Sequence, residues 1–369
     1  MNQTILIITD CFSPAFKAGG PVQSLNNLVD YFENKLNFKV ICSNKDINDE
    51  ILKVKHNCWI KFNDSTFVWY SRSKSFLSWI PFLKENNSNL IYVNGIYSLK
   101  YNLLPIIFKK KSNVIIAPRG MLQTGALSSK KMKKHFYLYI IKLFGLFNNV
   151  RWHATDNQEK QDIEKWFPKN DGVYNVPNIP KKPFAEILNP NKIENKLKLV
   201  YFSLISEKKN LHLLLEVVKN IENITLDIYG PIKDKKYWAE KCLPLLKNSS
   251  LINYKKEIEP HHVQNTLEKY DCLILLTNGE NFGHAIYESL SVGRPVIISE
   301  FTPWKNLKDN KAGINVNINS VNDILNGIVY FKNMDSETFF EYCNGAHSAA
   351  KKYYFDSNFE DGYKKLFTF

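Results

Sequence analysis

Short continuous apolar runs recur along this chain, and stretches with helical spacing fill the gaps between them. Ile91-Tyr-Val-Asn-Gly95 and Cys272-Leu-Ile-Leu-Leu276 are examples. Runs of this kind suit strands covered on both faces, and strands alternating with helices imply parallel sheets. In the first half the expected strands are Thr4–Thr9, Phe38–Ser43, Phe67–Ser71, Asn89–Asn94, Asn113–Pro118 and Val150–Thr155. Helices are expected near 20–34, 74–86, 98–109, 127–147 and 156–167. The second half repeats the scheme with strands Leu197–Ser203, Ile224–Tyr229, Leu251–Lys255, Asp271–Leu276, Pro295–Ser299 and Gly313–Val316. Its helices fall near 208–220, 234–248, 259–269, 284–292, 320–333 and 335–353. Between the halves, Val176–Pro190 holds Pro177, Pro180, Pro183 and Pro190, a density that stops regular structure. The expectation is α/β: two doubly wound, Rossmann-like domains facing a cleft, 1–178 and 197–353, joined by a linker over 179–196. A last amphipathic helix, 354–369, is expected to pack back on the first domain. Ligands of such sheets lie beyond the carboxyl ends of the strands, so the cleft is the default site.

Charge is distributed unevenly. The chain carries 49 Lys and Arg against 36 Asp and Glu, a net +13, which suits an anionic partner. Residues 86–155 hold no acid and eleven bases: Lys100, Lys109, Lys110, Lys111, Arg119, Lys130, Lys131, Lys133, Lys134, Lys142 and Arg151. Such a field either faces an anionic surface or is a solvated lysine-rich face. The helix near 127–147 joins Lys130, Lys131, Lys133 and Lys134 to Phe136, Tyr137, Tyr139, Phe144 and Phe147. It reads equally as contact with an anionic membrane surface and as a helix packed on the sheet with a wet basic end. The longest apolar run, Phe136–Phe147, is twelve residues, whereas a bilayer span needs about 17–25. Met1–Asp10 lacks a basic n-region, so no signal peptide is expected. Six cysteines share no C-x-x-C spacing and read as reduced thiols of a cytoplasmic chain, soluble or peripheral on the inner face of the membrane.

The densest chemical signal is Thr277-Asn-Gly-Glu280-Asn-Phe-Gly283-His284-Ala-Ile-Tyr-Glu288-Ser-Leu-Ser-Val-Gly293-Arg-Pro295. A buried strand precedes it. A turn-rich loop leads into a helix that Gly293 closes. A helix start at the carboxyl end of a strand offers N–H groups and a positive dipole end, an anion site, and Gly283 lets a phosphate approach the backbone. Glu280 lies before the helix and Glu288 eight positions later, too deep to complement the dipole. With apolar neighbours Glu288 needs a polar partner, and a diol serves, as in ribose recognition. An anion site between two carboxylates that grip hydroxyls describes a nucleotide-sugar. The plainer alternative is a capped core helix with two surface acids.

Glu280 and Glu288 at E-x7-E spacing, the Phe282-Gly283 pair and the following helix and Gly-Arg-Pro-Val-Ile strand resemble the donor signature of retaining glycosyltransferases of family 4, which have the GT-B fold. Further patches run along the chain. Ala18-Gly19-Gly20-Pro21 resembles the family's N-terminal glycine loop. Ala117-Pro-Arg-Gly-Met121 with Gly125-Ala-Leu-Ser-Ser-Lys130 resembles a subgroup found in surface-polysaccharide gene clusters. Val176-Pro-Asn-Ile resembles the interdomain segment, Leu226-Asp-Ile-Tyr-Gly230-Pro231 the C-domain glycine turn, and Thr302-Pro-Trp304 the loop beyond the last donor helix. The resemblance implies that Glu288 holds the donor ribose and Glu280 the hydroxyls of the transferred sugar. It implies diphosphate held by N–H groups at Gly283, His284 and Ala285, with Gly19, Gly20 and Gly230 also on the donor side. Lys209 stands where the family has a phosphate-neutralising Lys, which would stabilise charge growing on the leaving group. Five residues earlier the family usually has Arg, and here stands Leu204, so Lys208 or Arg119 would substitute. Many members carry a catalytic His near the place of Arg119. Arg119 can clamp phosphate or acceptor but cannot act as a base. His153, the nearest histidine, reads as structural.

The resemblance implies a glycan acceptor, often lipid-linked, and metal-independent chemistry without a cofactor. No H-x3-H, H-E-x-x-H or D-x-D pattern occurs. Two rival classes are set against this reading. One is a basic nucleic-acid-binding protein using residues 86–155, but no recognition motif accompanies that stretch, so no nucleic-acid partner is expected. The other is a dinucleotide-dependent oxidoreductase, which needs G-x-G-x-x-G after the first strand. The loop from Asp10 to Gly20 lacks that spacing.

Overall fold

The computed structural model describes residues 4–72, 90–108, 113–128, 131–187, 192–247, 249 and 251–368. The helix expected near 74–86, Lys109–Lys111 and Lys130 lie outside them. The chain divides into two compact units: Met1–Ile179 with Asn358–Phe369, and Pro180–Ser357.

The first unit is built on an eight-stranded sheet. Its strands are β1 (Thr4–Thr9), β2 (Asn37–Ser43), β3 (Trp59–Asn63), β4 (Thr66–Ser71), β5 (Leu90–Asn94), β6 (Val114–Ala117), β7 (Arg151–Ala154) and β8 (Val173–Asn175), in the order β3-β4-β2-β1-β5-β6-β7-β8. All pairings are parallel except the β3–β4 hairpin. The order reverses between β1 and β5, which places a switch point at their carboxyl ends. β1, β5, β6 and β7 are buried almost throughout, as the continuous apolar runs require. Helix α1 (Gly20–Tyr31) starts with Pro21 in its first turn and buries Val22, Leu25, Leu28 and Val29, one helical face. Helix α2 (Lys131–Leu143) buries Leu138 and Ile141. Helix α3 (Asn157–Trp166) is capped by the Asp156 carboxylate, which accepts from Glu159 N–H at 2.7 Å.

The second unit is a six-stranded, wholly parallel sheet of β9 (Leu197–Phe202), β10 (Ile224–Tyr229), β11 (Ile252–Tyr254), β12 (Cys272–Leu275), β13 (Val296–Ser299) and β14 (Gly313–Val316). The order β11-β10-β9-β12-β13-β14 reverses between β9 and β12, the second switch point. Helices α4 (Leu211–Val218), α5 (His284–Ser291), α6 (Val321–Lys332) and α7 (Ser336–Asp356) contribute buried side chains to one continuous core with these strands. From Pro180 on, the proline-rich segment is packed on this unit in its described part. Phe184 N–H donates to Ser291 O, His347 Nε2–H donates to Phe184 O at 2.8 Å, and Lys351 Nζ donates to Ala185 O.

The last helix, α8 (Phe359–Phe367), belongs to the first unit. It buries Phe359, Tyr363, Leu366 and Phe367. The Tyr363 ring meets Phe32 and His153, and the Phe367 ring meets Tyr92. Arg151 Nη1 donates to Thr368 O at 2.8 Å. At about 1.5–3 kcal/mol for each large apolar side chain, four of them anchor the helix by roughly 6–12 kcal/mol before chain entropy.

Candidate functional site

The carboxyl ends of β9 and β12 are stitched together by main-chain and amide bonds. After β9 the chain makes a single helical turn over Glu207–Lys209 and passes through Asn210 in the left-handed region, φ 50°, before α4. Asparagine tolerates that conformation. The Asn210 amide donates to Leu276 O at 2.9 Å, and Asn278 N–H donates to Lys208 O at 2.9 Å. On the other side of the loop after β12, Glu280 N–H donates to Phe301 O and the Ser299 hydroxyl donates to Thr277 O. This double stitching brings Lys209 onto Glu280, and their side chains form an ion pair. Both are largely withdrawn from solvent, so the charges interact more strongly than a surface pair.

Gly283 follows that loop with φ 80°, ψ 65° as the N-cap of α5. Any Cβ there would also crowd Ile286 Cδ1, at 2.8 Å. The N–H groups of the first turn of a helix lack intrahelical acceptors and carry its positive dipole end. Trp304 fixes the entry to the turn: its indole N–H donates to Phe282 O at 2.7 Å. Its ring packs with those of Phe282, Tyr287 and Tyr353. His284 is buried, with its ring 4.8 Å from that of Phe282. Ala285 is half-buried on the same first turn.

One turn further into α5, Glu288 is buried. Lys181 Nζ lies 3.8 Å from Glu288 Oε1 and donates to Pro260 O at 2.6 Å. A carboxylate so far from solvent needs such partners to stay charged. Gly230, at the end of β10, has φ 140°, and a Cβ there would run into the Ser203 carbonyl oxygen. Its N–H donates to Lys256 O at 3.0 Å, and its carbonyl accepts from Tyr254 Oη–H. Leu204, half-buried, follows β9 at the position where the family usually has Arg.

In the first unit Gly19, φ 80°, caps α1 and Gly20 opens it, at the carboxyl end of β1. Arg119 follows β6 and is only 8% exposed. Its Nε donates to Asn94 Oδ1, one terminal nitrogen to Asn178 Oδ1 and the other to Tyr92 Oη. Tyr363 Oη is a further partner. The guanidinium thus ties β5, β6, the end of the unit and α8 together. The network continues through Tyr92, whose hydroxyl lies 2.6 Å from His153 Nδ1, while His153 Nε2 lies 2.8 Å from Val176 O. Nε2 therefore carries the proton and Nδ1 accepts from Tyr92. Burial, reinforced by Arg119, lowers the His153 pKa to about 3. Its two ring nitrogens are both engaged, as expected for a structural histidine. Buried Glu159 completes the arrangement, accepting from Gly120 N–H and from the N–H and hydroxyl of Thr155. Burial raises its pKa against those bonds. Of the bases in the acid-free stretch, Arg119 and Arg151 face inward and Lys134 donates to Ala126 O. Lys131, Lys133 and Lys142 are exposed.

The sequence missed Lys181, Asn210 and the indole bond of Trp304. Asn210 had a readable signal, an Asn directly before a helix, whereas Lys181 sits in a proline-rich segment read as a linker. Among the described residues no group of three His, Cys, Asp or Glu side chains could hold a metal ion.

Residues 184–352 match the family model described as "Glycosyl transferases group 1". A curated relative is the UDP-N-acetylglucosamine--peptide N-acetylglucosaminyltransferase GtfA subunit of Limosilactobacillus reuteri subsp. suis. It is 22% identical over 148 residues, 39% of this chain and 28% of that protein's length. Among solved structures, sucrose-phosphate synthase from Thermosynechococcus elongatus superposes with a TM-score of 0.72 at 14% identity, covering 99% of both chains. WaaG, a glycosyltransferase involved in lipopolysaccharide biosynthesis, gives 0.69 at 11% identity over 97% of this chain and 98% of its own. HepE from Anabaena, solved with UDP-glucose, gives 0.69 at 13% identity over 98% and 99%. The two Rossmann-like units have the GT-B fold, and the match to the group 1 glycosyl transferase model lies within the second unit.

Proposed function

We propose that this protein is a retaining glycosyltransferase of family 4 that moves a sugar from a nucleotide-sugar to a glycan acceptor during synthesis of a surface polysaccharide. The observation that carries the reading is one short stretch of chain. The ion-paired Glu280, the left-handed Gly283 turn, the start of α5 and buried Glu288 follow each other at the β9–β12 switch point, with Lys209 beside Glu280. The diphosphate takes the N–H groups of Gly283, His284 and Ala285. Glu288 accepts from the ribose hydroxyls, with Lys181 holding its carboxylate in place. Glu280 accepts from hydroxyls of the transferred sugar. Lys209 stands beside Glu280 and neutralises charge that grows on the leaving phosphate. Gly230 contributes by letting β10 approach Ser203, which shapes the wall of the site. Lys208 contributes through its main chain. Arg119 acts as a positioning residue in this scheme.

In the reaction the bond from the anomeric carbon to the phosphate oxygen breaks, and the acceptor oxygen bonds to that carbon from the same face. The acceptor proton passes to the departing phosphate, so the products are a nucleoside diphosphate and the glycosylated acceptor. No enzyme base is required, which fits a first unit whose buried histidine is committed to its neighbours. The involvement of WaaG in lipopolysaccharide biosynthesis and the complex of HepE with UDP-glucose favour lipopolysaccharide-type glycans and UDP-sugars; the acceptor proposed is lipid-linked.

The test is a thermal-shift panel of nucleotide-sugars. One sugar and base should raise the melting temperature in a concentration-dependent way, because ligand bound to the folded state stabilises it by mass action. A flat response across UDP-, GDP-, ADP- and dTDP-sugars contradicts the proposal.

A further inference from the structure

Helix α2 presents an apolar stripe to solvent. Leu138 and Ile141 are buried, Tyr137 Oη–H donates to Ile96 O at 2.6 Å, and Lys134 Nζ donates to Ala126 O. Those four residues mark the inward face. On the opposite face Met132 is 87% exposed, and Phe136, Tyr139 and Leu143 are 62–66% exposed. At about 100° per residue these four fall within an arc of roughly 60°, centred about 180° from the inward face. Phe144, just past the end of the helix, is exposed as well. Single exposed apolar residues are ordinary, but a continuous stripe of large ones marks a contact surface. Lys133 projects about 90° to one side of the stripe's centre, and Lys131 and Lys142 project about 90–110° to the other. The helix carries no acid, and neither does any residue from 86 to 155.

We propose that α2 docks on an anionic lipid bilayer, lying in the headgroup plane with Met132, Phe136, Tyr139 and Leu143 inserted and Lys131, Lys133 and Lys142 on the lipid phosphates. Charge complementarity selects this occupant. The bases flank the apolar stripe on both sides, as an interfacial helix requires. A second copy of the chain would bring the same uncompensated lysines together. Among the described residues no helix is long and apolar enough to cross a membrane, so the contact is peripheral. It does not depend on the donor chemistry proposed above.

The test is co-sedimentation with vesicles, which needs no sugar substrate. Wild-type protein should pellet with phosphatidylcholine vesicles containing about three tenths phosphatidylglycerol, and not with phosphatidylcholine alone. Phe136→Ser with Leu143→Ser should lower the partition coefficient on the order of tenfold or more. Lys131→Gln with Lys133→Gln should abolish the preference for anionic vesicles. Met132→Ser, at the most exposed position, serves as the second variant should the double variant melt early, and its expected loss is on the order of threefold. The proposal is overturned by wild-type protein remaining in the supernatant with both vesicle types. It is equally overturned by serine variants that pellet like wild type, by a dimer that the serine variants dissociate without lipid binding, or by tight duplex DNA binding in place of vesicle binding.

Discussion

Lys209→Met separates an electrostatic contribution to catalysis from a packing role. Lys209 and Glu280 form an ion pair in which each side chain is 14% exposed, so both charges are already largely desolvated. Removing the ammonium leaves the Glu280 carboxylate without that cation. A partly buried acceptor deprived of its partner costs about 1–3 kcal/mol of stability. The catalytic loss should be larger. One preorganised group aimed at developing charge is worth about 10²–10³ in kcat, some 2.7–4 kcal/mol. Ground-state donor binding keeps the α5 N-terminus and Glu288, so KM should move no more than about fivefold. The assay is steady-state donor turnover, using hydrolysis where the acceptor is unidentified, alongside urea denaturation of both proteins. A kcat within about threefold of wild type would refute the reasoning. So would a loss of activity that appears entirely in KM.

Two further perturbations address the two units separately. Gly230→Ala should lose on the order of 3 kcal/mol in urea denaturation, because φ 140° is essentially restricted to glycine and a Cβ would strike the Ser203 carbonyl; an unchanged midpoint would mean that β9 and β10 do not approach as described. His153 has a folded pKa of about 3 against 6.5 for the free side chain. The unfolded chain then binds the additional proton between those values, so this group's stabilisation is present above pH 6.5 and is lost as pH falls toward 3. The slope contributed is up to about 1.4 kcal/mol per pH unit. His153→Gln should flatten the stability profile between pH 6 and 4 by about that slope, and parallel profiles for the two proteins would count against a buried neutral histidine.

Strands covered on both faces were legible almost to the residue. Ile224–Tyr229 and Gly313–Val316 match the expected bounds, because burial on two sides leaves an unbroken apolar run. β3 and β8 were not legible. Both are edge strands, half-exposed, and β8 is three residues long, so neither shows a strong period. The helix expected near 208–220 begins only at Leu211, since Asn210 adopts a left-handed conformation that a propensity reading does not anticipate. E-x7-E spacing placed Glu280 before α5 and Glu288 within it, because that depends on local turn and helix signals. The meeting of Lys209 with Glu280, 71 residues apart, follows from β9 and β12 being neighbours at a switch point, which no local pattern encodes. Arg119 shows the same limit: its residue type suggested an anion, whereas its four partners come from β5, the Asn178 segment and α8. For α2 the basic and aromatic composition was plain, but which face turns inward was set only by the packing of Leu138 and Ile141.

The most direct measurement is a calorimetric cycle on Glu288. Wild-type protein and Glu288→Ala are each titrated with a ribonucleoside diphosphate and with its 2′,3′-dideoxy counterpart. The account predicts that wild type prefers the diol by about tenfold or more and that Glu288→Ala binds both forms equally weakly. A Glu288→Ala protein that keeps the wild-type preference would contradict the claim that this buried carboxylate holds a ribose.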